Sequence, residues 1–194
     1  MAPRILLIVG STRPNRFADK PVVWLLDRLQ GRDDFELKLL DLRDYPLPMY
    51  ESAVSPARSG RDYPTEALAR LGAEIDWADG FIITSSEYNH GYPAVLKNAL
   101  DSVFVEFNRK PVAFVSYGSA GGARAVEQLR LVAVELEMAP LRHAVHILPD
   151  LMRPAMMAES FSPEMFESLD SRLDMVVADL LWWSNALKTA RDAT

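Results

Sequence analysis

Residues 5–17 read Ile-Leu-Leu-Ile-Val-Gly-Ser-Thr-Arg-Pro-Asn-Arg-Phe: five apolar residues without a break, then a glycine-led polar loop. A run that is apolar at every position suits a strand buried on both faces, the kind found in parallel sheets. A helix-length segment, residues 18–29, comes after the loop, so the stretch opens a βαβ unit. The same alternation continues along the chain. Strands are expected at 35–42, 80–84, 111–117 and 141–148. Helices are expected at 65–77, 92–106, 122–138 and 163–188. Leu68, Leu71 and Ile75 share one helical face; Phe166, Leu169, Leu173, Val177, Leu180 and Trp183 share another. Pro93 falls in a first helical turn, where its missing N–H costs nothing. The proline-rich stretches 44–50 and 56–62 read as loops. The expectation is an α/β fold with a five-stranded parallel sheet between two helical layers, residues 1–194 forming one domain. For a doubly wound sheet of this size the strand order 2-1-3-4-5 is a prior, taken from the fold class and not from periodicity.

Composition narrows the functions. With 194 residues the chain can bury its own core. It has no cysteine, which removes disulfides, thiolate metal sites and cysteine nucleophiles. A net charge of −6 gives no footprint for nucleic acid or an anionic membrane surface. The apolar run at 5–9 is too short for a signal peptide and Met175 to Trp183 is too short for a membrane span, so a cytoplasmic protein is expected. His143 and His146 are three apart in the expected fifth strand and would face opposite sides, so no metal site is expected. Trp182 and Trp183 read as packing or interface residues.

In a doubly wound sheet the ligand lies beyond the carboxyl ends of the strands, where the strand order reverses. Three polar, glycine-bearing loops come after the first, third and fourth strands. The first is residues 10–17. Ser11 and Thr12 offer hydroxyls, Arg13 and Arg16 offer charged donors, and the backbone N–H groups ahead of the helix are unpaired. This suits a terminal phosphate at a helix start; it suits equally a capped helix with two solvated arginines. The third-strand loop carries Glu87, Tyr88, Asn89 and His90, an aromatic among hydrogen-bonding groups. The fourth-strand loop carries Tyr117, Gly118, Ser119, Gly121 and Gly122. Its glycines either let backbone approach a planar ligand or supply a turn with positive φ, and Tyr117 could lie against a ring. No P-loop, dinucleotide G-x-G-x-x-G or G-x-S-x-G elbow is present.

These residues carry a resemblance. Gly10-Ser11-Thr12-Arg13, the run Glu87-Tyr88-Asn89-His90-Gly91-Tyr92-Pro93-Ala94-Val95-Leu96-Lys97-Asn98, and Gly118-Ser119 with Gly121-Gly122 resemble, in order and spacing from about residue 4 to 148, the NAD(P)H-dependent FMN reductases of the quinone, azo and chromate reductase type. The resemblance implies a flavodoxin-like fold with FMN bound and NADPH or NADH as cosubstrate. Ser11, Arg13 and the backbone near Arg16 and Phe17 would hold the phosphate. Glu87, Tyr88, Asn89 and His90 would line the ribityl chain and ring. Tyr117, Gly118, Ser119, Gly121 and Gly122 would meet the ring's edges. Flavin carries the redox chemistry while the protein supplies position and electrostatics, so no catalytic side chain is expected. A small acceptor (quinone, azo compound, free flavin or metal oxyanion) would take the nicotinamide's place in a ping-pong cycle. The resemblance also implies a homodimer or homotetramer with the stretch 46–51 at the border. Arg16 and Ser86 depart from the commoner Ser and Pro; the first could add charge to the phosphate site, the second would free an N–H and loosen the loop. The rival reading is an FMN-binding electron carrier without an NAD(P)H cycle. Arg13, Arg16, Arg58 and Arg61 near the mouth favour a small anionic substrate over such a carrier.

Overall fold

The computed structural model describes residues 2–193. In chain order its elements are β1 (Arg4–Val9), α1 (Asp19–Leu29), β2 (Glu36–Asp41), α2 (Pro56–Ser59), α3 (Glu66–Trp77), β3 (Gly80–Ser86), α4 (Ala94–Asp101), β4 (Pro111–Tyr117), α5 (Ala123–Glu135), β5 (Ala139–Pro140), β6 (Val145–Ile147), α6 (Pro149–Met157) and α7 (Asp170–Asp192). Every strand pairing is parallel, and the order is β2-β1-β3-β4-β5 with β6 also on β4. The unbroken apolar runs behave as their composition demands: β3 and β4 are buried at every residue, and β1 from Ile5 onward. β2 is one edge of the sheet, and only Leu40 in it is buried.

Alternation along the strands divides the core in two. Ile5, Leu7, Val9, Ala113 and Val115 point to one side, against α1 and α7 with Trp24, Leu25, Val177 and Leu180. Leu6, Ile8, Ile83 and Phe114 point to the other, against α3, α4 and α5 with Leu71, Ile75, Leu96 and Leu129. Helices on both faces of a parallel sheet give the three-layer flavodoxin-like sandwich.

Four departures have physical causes. In place of the expected fifth strand, 141–148, there are two short ones, β5 and β6: Pro140 pairs with Val112 and Val145 with Val115, so the chain advances five residues where β4 advances three. Proline cannot donate to the ladder, and the extra residues 141–144 leave the ladder with Leu141 and Ala144 still buried. His143 therefore lies outside the strand and meets Asp179 at 2.6 Å, while His146 lies in it with Nδ1 2.8 Å from Ser116 Oγ. The helix expected to reach residue 106 ends at Asp101. The Ser102 hydroxyl donates to the Asn98 carbonyl, and the next turns carry Val103 and Phe107 into the core. The C-terminal helix begins with a 3-10 segment, Pro163–Leu169, before α7; Asp170 there accepts from Trp24 Nε1 and Arg28 Nε, both at 2.9 Å. Finally, α6 forms where no helix was expected, with Pro149 in its first turn and Pro154 inside. Trp182 and Trp183 form an edge-to-face pair on the outside of α7, 65% and 40% exposed, so neither serves the core.

Lys110, just before β4, is buried, and its ammonium donates to the carbonyls of Ile75 (2.9 Å) and Asp76 (3.0 Å), closing the end of α3. Burial pushes its pKa down to about 8. The unfolded chain, at the ordinary lysine value, thus holds a proton that the folded chain has released. Between about pH 8 and the ordinary value of 10.5, the unfolded state binds more protons, so stability contributed here rises with pH. Urea unfolding across that range should show a rise in the wild type that Lys110→Met flattens; identical slopes would remove Lys110 as the cause.

Candidate active site

The carboxyl ends of β1, β3 and β4 bring the three loops together at the reversal of strand order. Gly10 N–H donates to the Thr84 carbonyl at 3.0 Å, so the first loop leaves the sheet in contact with β3. Ser11 Oγ lies 3.2 Å from Tyr88 Oη, which links the first loop to the third. The Arg13 guanidinium lies 5.3 Å from the Tyr88 ring centroid, in cation–π range, and is exposed. Burial opposes ionisation of the Tyr88 phenol. The hydrogen bond with the Ser11 hydroxyl and the nearby Arg13 charge outweigh it and hold its pKa below the usual value.

Among the described residues the backbone N–H groups of Ser11, Thr12 and Arg13 have no acceptor. Three N–H groups without an acceptor in the first loop, with Arg13 beside them, form a donor set suited to an anion such as a phosphate. The same holds for the N–H groups of Ser119 and Ala120 in the fourth-strand loop.

The third-strand loop is a tight turn closed by the Tyr88–Gly91 bridge, with Asn89 (φ 49°) and His90 (φ 75°) both left-handed. Neither is glycine, so the turn is strained and depends on its neighbours. α5 provides them. Gln128 Nε2 donates to the His90 carbonyl at 2.9 Å, and Arg124 Nη1 lies 3.3 Å from His90 Nδ1. Arg124 also pairs with the buried Glu87 carboxylate and donates to Ser119 Oγ at 3.3 Å. One guanidinium therefore ties the third loop to the fourth. Sequence reasoning misses Arg124, although a cation in the first turn of a helix opposes the macrodipole and signals a partner carboxylate.

Several expected site residues are placed otherwise than their types suggested. Arg16 adds no free charge: its guanidinium is buried against Asp41, Asp19 and the Ser11 carbonyl. Tyr117 faces the core more than the loop mouth. Its side chain is 5% exposed, packs 5.0 Å from the Phe17 ring, and burial raises its pKa. Gly121 (φ 64°) and Gly122 (φ 75°) supply a positive-φ turn, and the space beside them is filled by protein. A Cβ on Gly121 would lie 2.8 Å from Leu148 Cδ2, and one on Gly122 would lie 2.6 Å from Ser116 Cβ. Ser86 does not loosen its loop, because it continues β3 opposite Tyr117. Arg61 pairs with Asp76 on α3 at 2.6 Å, away from the mouth. A cleft of about 560 Å³ runs along residues 48–68 beside α4 and shares no lining residue with the three loops. Among the described residues no three His, Asp or Glu side chains converge as metal ligands, and no helix is long and apolar enough to cross a membrane.

Comparison with known proteins places the chain in a family. Residues 3–150 match the family model described as NADPH-dependent FMN reductase. An NAD(P)H-dependent FMN reductase of Schizosaccharomyces pombe is 38% identical over 138 residues, 71% of this chain and 69% of that protein. A 2-hydroxy-1,4-benzoquinone reductase of a Burkholderia species is 34% identical over 145 residues, 71% and 74% of the two chains. Among solved structures, the flavoenzyme NAD(P)H:(acceptor) oxidoreductase FerB of Paracoccus denitrificans superposes with a TM-score of 0.73 at 21% identity. That match covers 95% of this chain and 98% of that one, and supports the fold. The chain belongs to the NADPH-dependent FMN reductase family, oxidoreductases that work with FMN and NAD(P)H.

Proposed function

We propose that the protein holds FMN at the three loops and uses NAD(P)H to reduce a small planar acceptor, a quinone foremost. The observation that carries this reading is the set of unpaired N–H groups at Ser11, Thr12 and Arg13 beside an exposed arginine, at the strand-order reversal. Bound FMN supplies two-electron redox chemistry, and the chain supplies position and charge. The first loop and Arg13 hold the phosphate. Tyr88, Asn89 and His90 line the ribityl and ring side, with Glu87 and Arg124 fixing their loop. The N–H groups of Ser119 and Ala120 offer preorganised donors where negative charge develops. No side chain has to move a proton. The benzoquinone reductase relative supports a quinone as acceptor. The protein acts in the cytoplasm as one domain per chain, in a homodimer or homotetramer; exposed Met49 and Tyr50 lie in the stretch expected at the border.

Titration of the apo-protein should show tighter quenching by FMN than by FAD, because the first loop ends a monophosphate. With one open face serving donor and acceptor in turn, initial rates at several quinone concentrations should give parallel double-reciprocal lines. Lines that converge would mean both are bound together and would reject the shared face.

A further inference from the structure

The first loop is held in place by a charge pair contributed from the edge strand. Arg16 Nη1 donates to the Ser11 carbonyl at 2.5 Å and to Asp41 Oδ1 at 2.7 Å. Nη2 donates to Asp41 Oδ2, and Nε to Asp19 Oδ1 at 2.7 Å. The Arg16 side chain is 5% exposed. Asp41 is the last residue of β2, and its Oδ1 also accepts from Arg43 N–H at 3.0 Å. Arg43 in turn donates to the Arg13 carbonyl. The Ser11 carbonyl is thus drawn toward the Arg16 guanidinium that Asp41 anchors, and the Arg13 carbonyl toward Arg43, whose backbone N–H Asp41 holds and whose guanidinium lies 3.7 Å from Asp19. The peptide unit is planar and trans, so a Ser11 carbonyl turned inward points the Thr12 N–H outward.

We infer that Asp41 and Arg16 are positioning residues for the phosphate cradle, an ion pair that turns the first loop's N–H groups toward the ligand without touching it. The inference rests on the FMN-binding reading of the three loops. It assigns Asp41 a sign that simple electrostatics reverses. A carboxylate near a phosphate repels it, so neutralising Asp41 should tighten FMN if charge alone mattered, the more so because Arg16 would be released. If the pair aims the loop, the same change weakens FMN.

The test is flavin titration of apo-protein by fluorescence quenching, with FMN and with riboflavin, for wild type, Asp41→Asn, Arg16→Ala, Arg16→Lys and the Asp41→Asn/Arg16→Ala double variant, each with a thermal melt. Asp41→Asn should weaken FMN by about tenfold or more, the scale of a lost charge-assisted hydrogen bond, and riboflavin by less than about twofold. Arg16→Ala should do the same, the double variant should be no worse than Arg16→Ala alone, and Arg16→Lys should recover part of the loss. Equal or tighter FMN binding by Asp41→Asn overturns the inference, as does an equal loss of FMN and riboflavin. Asp41→Glu keeps the charge and shifts the carboxylate by one methylene. It should also lose FMN selectively, and it decides the question should a harsher variant not fold. A wild type that binds no FMN would instead refute the functional reading.

Discussion

Arg13→Ala is expected to weaken FMN binding about ten- to two-hundredfold and to leave riboflavin almost unchanged. The two arginines of the first loop differ in what already occupies them. Arg16 is buried with its donors committed to Asp41, Asp19 and the Ser11 carbonyl. Arg13 is exposed; its side chain meets Tyr88, and its carbonyl is held by Arg43. It is therefore the guanidinium able to meet a phosphate beside the free N–H groups of Ser11 and Thr12. A hydrogen bond to a charged group contributes about 1.5–3 kcal/mol, which sets the expected range. Loss of the cation–π contact with Tyr88 should cost only about 0.5–1 kcal/mol at an exposed site, and the Tyr88–Ser11 hydrogen bond remains. Riboflavin lacks the phosphate and so should register little. The measurement is a titration of both apo-proteins with both flavins, with melts to confirm folding. Undiminished FMN affinity would refute the phosphate role. An equal loss of riboflavin would move Arg13 to the ring or to support of the loop.

The parts of the fold legible in the sequence are those governed by local pattern. β4 occupies residues 111–117 as expected, because a strand buried on both faces must be apolar at nearly every position and nothing else competes for it. The fifth strand is less legible because it lies at the sheet's margin. Its interruption depends on how Pro140 and Val145 find β4, a pairing that its own residues do not encode. α6 is hidden because Pro149 and Pro154 read as breakers, whereas Pro149 sits in the first turn, where its missing N–H costs nothing.

The candidate site divides along the same line. Which loops converge is set by topology, so Ser11, Tyr88 and Ser119 are found together. Which way each side chain turns is set by partners far away in sequence. Arg16 reads as a phosphate donor because nothing local shows that Asp41, 25 residues on, claims it. Glu87 reads as lining the flavin because Arg124, 37 residues on, carries no motif. Residue type places a group near a site, but the deciding question is which buried partner it satisfies first.

Gly122 offers the sharpest separation between a glycine that serves a ligand and one that serves the fold. At φ 75° it forms the cap from which α5 starts. A Cβ there would sit 2.6 Å from Ser116 Cβ and 2.8 Å from the Tyr117 nitrogen, and the second contact is with backbone, which cannot rotate away. Two costs combine in Gly122→Ala: about 1–2 kcal/mol for a left-handed L-residue and about 1–3 kcal/mol for overpacking. The sum, roughly 2–5 kcal/mol, would lower the melting temperature by about 4–20 °C for a chain of this size. The loss should appear in apo-protein, before any flavin is added, because the crowding is between protein atoms. If Gly122 were a surface for a planar ligand, Gly122→Ala would melt like wild type and lose flavin affinity alone. Thermal or urea unfolding of the two apo-proteins distinguishes these outcomes, and an unchanged apo melt would return Gly122 to the ligand.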